Sequence, residues 1–216
     1  MMEKGHKKED LEKWWEKTIK ADHVSRRALT IIDALKLPGL HERMFIFEDL
    51  KKFASDVGII LSFKELPESF KSSLFYYKGK PFILINSLLQ EEGQWYLLGF
   101  ELGHNILHIQ NNINLPCFTE ENYLNNPLSN AEANYFSQSL FLPRRLLFEW
   151  AKEENGDAEK ILQKMVDYVQ REIESRAGAS IGERPLSLTR VRMINRLKIF
   201  NKYYSHKTIK NIDLLN

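Results

Sequence analysis

The sequence predicts an α+β fold. Three observations carry that expectation: apolar residues recur at helical spacing toward both ends of the chain, three short apolar segments cluster between residues 59 and 86, and one long helical pattern follows them directly. With 216 residues, 43% of them hydrophobic, the chain can bury one good core and carry a smaller helical appendage. Its 31 Lys and Arg nearly balance 29 Asp and Glu, so a net charge of +2 excludes a polyelectrolyte binder as a whole. One cysteine, Cys117, excludes an intramolecular disulfide.

The elements follow in order. Leu11, Trp14 or Trp15, and Thr18 or Ile19 give a charged first helix over residues 8–20. Val24, Ala28, Ile31 and Leu35 give a second, stopped by Leu37-Pro38-Gly39. A third carries Leu50, Phe53, Ala54 and Val57 and closes at Gly58. Strands are expected at Ile59 to Phe63, Leu74 to Tyr77 and Pro81 to Asn86, the last two joined as a hairpin at Lys78-Gly79-Lys80. A long helix then runs from about Leu89 to Ile109, burying Leu98, Leu102, Ile106 and Ile109.

Residues 110–130 hold eight Asn or Gln and two prolines, and read as a long loop. Ser129 or Asn130 caps the next helix, which Pro143 ends, and a further helix uses Ile161, Met165, Val169 and Ile173. Ala177 to Gly182 is a linker before a basic helix from about Leu188. The resulting division is an N-terminal helical extension over 1–40, a central domain over 41–150 with a small three-stranded sheet, and a C-terminal helical region with a basic tail over 151–216. No apolar run follows the N-terminus to form a signal peptide, and Phe82-Ile83-Leu84-Ile85 is far shorter than the ~20 residues of a membrane span. A soluble, cytoplasmic protein without a membrane partner is expected.

The long helix carries Phe100-Glu101-Leu102-Gly103-His104. This has the form of the H-E-x-x-H zinc-protease helix with its first histidine replaced by phenylalanine. In that pattern two imidazoles one turn apart hold zinc while the glutamate activates the bound water. A third ligand must come from elsewhere, and Glu132, 28 residues beyond His104, is the candidate. Each residue also has a plainer reading. Glu101 and His104 could be a surface pair, Glu132 the partner of Ser129 in a capping box, and His108 a polar residue near a helix end. His108, four residues beyond His104, could instead join His104 and Glu132 around an ion shifted by one turn, with Cys117 as a substitute ligand.

From Ile46 to Pro143 the chain resembles the ImmA/IrrE family of metallopeptidases. The resemblance rests on the helix from Leu50 to Gly58, the strand Ile83-Leu84-Ile85-Asn86, the helix segment from Trp95 to His108, and the run from Glu132-Ala133-Asn134-Tyr135-Phe136 to Leu142-Pro143. It implies a zincin-like metallopeptidase domain with an active-site-type helix, His104 and Glu132 as zinc ligands, and Glu101 as general base. It also implies a helix-turn-helix repressor as partner, engaged or cleaved. Phe100 departs from the pattern at a ligand position, and a catalytic zinc normally has three protein ligands. Zinc is therefore expected to bind weakly or not at all, which makes peptidase activity impaired or lost. Active cleavage of a repressor is the alternative.

A further alternative lies in the tail. Between Arg184 and Lys210 there are eight Lys or Arg and no Asp or Glu: Arg184, Arg190, Arg192, Arg196, Lys198, Lys202, Lys207 and Lys210. Such a face suits phosphate contacts, so DNA is a second possible partner. A solvated helix face or a contact to an acidic protein accounts for it equally simply.

Overall fold

The computed structural model describes residues 24–35, 40, 42–67, 69–89, 91–108, 118–119, 127–177, 183–204 and 208–215. The expected helix over 8–20 lies outside them, as do Ile109, Cys117 and most of the 110–130 segment.

A helix over Arg26–Ala34 (α1) is capped by Ser25, whose hydroxyl accepts from the Ala28 N–H at 3.1 Å. It buries Ala28, Leu29 and Ile32 in the main core. The next helix, Phe47–Asp56 (α2), ends at Gly58, whose φ of +76° is the left-handed conformation that terminates helices. Strands Ile60–Lys64 (β1), Phe70–Tyr77 (β2) and Lys80–Asn86 (β3) follow. Lys78 and Gly79, with φ of 50° and 75°, form the two-residue turn between β2 and β3. Positive φ at both central positions matches the twist of the strands and sets the hairpin register.

Among the described residues the sheet has four strands, one more than the expected three, in the order β1-β3-β2-β4. The fourth, Phe118–Thr119 (β4), pairs antiparallel with β2 at Phe70 and Ser72, inside the stretch that composition marked as loop. A two-residue strand has no periodicity to detect, and only its partner creates it. β1 runs parallel to β3, and β2 antiparallel.

The central helix Glu91–Leu107 (α3) lies against the helix Pro127–Phe141 (α4). Every residue from Tyr96 to Asn105 is buried, so the expected single buried face is too narrow. Two glycines one turn apart allow the close approach to α4. A Cβ at Gly99 would sit 2.6 Å from the Ser137 hydroxyl, and one at Gly103 would sit 2.9 Å from the Ala133 carbonyl oxygen. α4 begins at Pro127, a residue suited to the first helical turn, and not at a Ser129 or Asn130 cap. Glu132 therefore lies within the helix, free of the capping-box role.

Three further α-helices follow, Arg144–Glu153 (α5), Ala158–Ala177 (α6) and Glu183–Tyr203 (α7), and a 3-10 turn over Ile212–Leu214 comes after them. α5 was not expected, and it runs across residue 150, where the sequence suggested a boundary. Leu147, Ile161, Leu162, Met165, Leu197 and Phe200 form a second core, joined to the first through Trp95 and Tyr204. Among the described residues no helix is long and apolar enough to cross a membrane.

Candidate metal centre

α3 carries Phe100, Glu101 and His104, His108 stands just past its end, and α4 carries Glu132. All five are buried.

Glu101 is 3% exposed, and one carboxylate oxygen accepts from the Ser72 hydroxyl on β2 at 2.6 Å. Burial raises its carboxyl to about 7, against the lowering effect of the Ser72 hydrogen bond. The stability consequence has a definite sign. The native state keeps this proton up to about pH 7, whereas an unfolded glutamate loses it near 4.5, so unfolding free energy falls as pH rises through that window. Glu101→Gln should abolish this dependence. Denaturant titrations at pH 5 and pH 8.5 should show the variant gaining about 2.5 kcal/mol relative to the parent between the two. Parallel curves would mean that Glu101 ionises normally.

The two histidines and Glu132 form a chain rather than a ring of ligands. His104 Nδ1 lies 3.1 Å from His108 Nδ1, and His108 Nε2 lies 2.9 Å from Glu132 Oε2. The second Glu132 oxygen, Oε1, accepts from the Ser25 backbone N–H at 3.1 Å. An ionised carboxylate only accepts, so His108 Nε2 must donate to it. With His108 neutral, its Nδ1 is then an acceptor, and the proton between the rings belongs to His104. Burial holds the His104 imidazole down at about 3, the neighbouring His108 adds to the effect, and a hydrogen bond with Asn130 opposes it. Burial alone would raise the Glu132 carboxyl, but hydrogen bonds from His108 and Ser25 outweigh it and keep the group below its ordinary range.

Phe100 is 1% exposed. Its ring meets His104 edge-on, with centroids 4.5 Å apart, and lies nearly parallel to Tyr96 at 6.2 Å. An imidazole at this position would supply the first nitrogen of the zinc pattern, whereas the hydrocarbon ring offers no donor. His104 turns its Nδ1 toward His108, and both Glu132 oxygens are engaged. Among the described residues no three His, Cys, Asp or Glu side chains are placed to hold one ion. This donor set does not fit a catalytic zinc with three protein ligands and an open position.

Sequence reasoning singled out Glu101, His104, His108 and Glu132; hydrogen bonds link the last three, whereas Glu101 bonds to Ser72 on the sheet. It missed Ser72, Ser25 and Asn130, which bond to them. Ser25 carries a visible signal as a helix cap, but nothing local ties it to a residue 107 positions away.

The basic tail is partly engaged. Arg190 pairs with Glu159 at 3.0 Å. Arg196 is 2% exposed, with its guanidinium 4.5 Å over the Tyr135 ring and Nη2 donating to the Leu142 carbonyl at 3.3 Å. The Arg184 and Arg192 side chains and Lys207 lie outside the described residues.

Residues 54–182 match the family model of Peptidase M78, described as the IrrE N-terminal-like domain. No curated protein and no solved structure matches the chain. The match spans more than half of the sequence and includes both helices of the buried polar chain, so the protein belongs to the ImmA/IrrE (M78) peptidase family.

Proposed function

We propose that this protein keeps the zincin-like scaffold of its family without a catalytic zinc, and acts as a regulator that grips a helix-turn-helix repressor rather than cleaving it. One observation carries the reading: at the first ligand position stands a buried phenylalanine ring packed on His104. The linear arrangement His104–His108–Glu132–Ser25 supports it, because side chains that would otherwise converge on an ion satisfy one another instead. Repressor engagement rests on family membership, since the scaffold that presents a substrate segment can persist without the chemistry.

A specific observation favours the active-peptidase alternative. The Glu101 carboxyl, at about 7, has the proton affinity expected of a general base working near neutral pH. Burial beside Ser72 accounts for it without catalysis, so it ranks second. DNA binding through the tail ranks third, because Arg190 is paired and Arg196 is buried.

The deciding measurement is zinc content after purification without added metal, for the parent and for Phe100→His. The parent should retain well below one equivalent, and the variant should gain zinc. A full equivalent in both proteins would overturn the proposal and restore the active peptidase.

A further inference from the structure

The outward face of the sheet lies apart from the proposed function. Strand alternation sends Leu74, Ile83 and Ile85 inward against the core and Ile60, Phe75, Tyr77, Phe82 and Leu84 outward. A solvated sheet face is ordinarily polar; toward the hairpin this one carries exposed rings, while Ser62 and the buried Ser73 flank Leu84 behind them. Ile60 is 39% exposed, Phe75 41% and Tyr77 57%. Phe75 and Phe82 stack with centroids 5.5 Å apart and planes 9° from parallel, and Tyr77 meets Phe82 edge-on at 6.2 Å.

Among the described residues, the charged side chains that strand alternation places on this face are lysines. Lys64 and Lys80 are exposed on the same face, and Lys78, in the turn, holds its Nζ 5.3 Å from the Tyr77 ring centre. Between Glu68 and Glu91 the sequence contains no carboxylate. Rings interleaved with lysines are the composition of surfaces that stack bases and neutralise phosphates.

We propose that this face binds single-stranded nucleic acid, with bases against Phe75 and Tyr77 and phosphates on Lys64, Lys78 and Lys80. A single strand suits it better than a duplex, because stacking needs unpaired base faces. It suits a nucleic acid better than an acidic peptide because the exposed area is mainly flat rings, and a compact lysine charge serves phosphate as a point partner. The two-residue turn holds the rings and lysines in fixed register.

The test is fluorescence anisotropy of labelled oligothymidylate with the full chain across a salt series. Binding should weaken with salt with a log–log slope of roughly −2, as three phosphate contacts on a single strand require. Phe75→Ala and Tyr77→Ala should each weaken it about tenfold. The double change Lys78→Glu and Lys80→Glu should weaken it further. Phe148→Ala, which removes an exposed ring elsewhere, should leave it unchanged. Circular dichroism and melting would verify that the hairpin variants remain folded, which their surface positions favour.

Three results would overturn the proposal. The first is no binding at low salt. The second is binding lost through Lys202→Glu on α7 but kept in the hairpin variants, which would move the site to the tail. The third is oligoglutamate competing as well as unlabelled oligonucleotide, which would make the partner an acidic protein.

Discussion

Replacing Phe100 by alanine is expected to lower unfolding free energy by about 3–5 kcal/mol. The ring is almost fully enclosed, nearly parallel to Tyr96 and edge-on to His104, on the helix that both the sheet and α4 contact. Removing it costs the transfer free energy of the lost atoms and leaves a cavity that a helix fixed at Gly99 and Gly103 cannot collapse to fill. Urea titration should show a lower midpoint with unchanged slope. A loss below about 1 kcal/mol would mean the ring is not part of the core. The same substitution separates two roles for this position. Alanine opens space without supplying a donor, so Phe100→Ala should lose stability and gain no zinc, unlike Phe100→His.

The second large effect is expected at Glu132. Its two oxygens receive the half-buried Ser25 N–H and the buried His108 Nε2. Glu132→Ala strands two donors at once, and each unsatisfied buried group costs about 1–3 kcal/mol. A loss of about 2–5 kcal/mol should result, and the Ser25 amide should exchange with solvent faster than in the parent. Glu132→Gln gives a sharper readout. Its amide oxygen can still accept from Ser25, but its NH2 then faces His108 Nε2, so the imidazole must invert its tautomer and the proton between the histidines must change owner. Imidazole nitrogen chemical shifts in the two variants would report this directly. Unchanged His108 shifts in Glu132→Gln would contradict the hydrogen-bond chain.

Much of the architecture was legible along the chain. The hairpin could be read from Gly79 between two apolar segments, because a tight turn needing positive φ favours glycine. The close of α2 at Gly58 was legible for the same reason. The helices α1, α2 and α6 came from periodicity, since burying one face requires apolar residues at turn spacing. α3 was placed correctly but understated. A helix covered on several sides loses the polar stripe that marks its orientation, and the role of Gly99 and Gly103 appears only once α4 lies against them.

Sequence alone determined the α+β class and the hairpin, because each depends on residues close together along the chain, and motifs in order from Ile46 to Pro143 carried the family. Tertiary structure decided what the ionisable residues do to one another. It made His108 the middle member of a hydrogen-bonded chain, tied Glu132 to a backbone group from the N-terminal segment, paired Arg190 and buried Arg196. These outcomes depend on side chains separated by tens of residues meeting in a space of low polarity. There each donor must find an acceptor, and no local spacing rule records which one it finds.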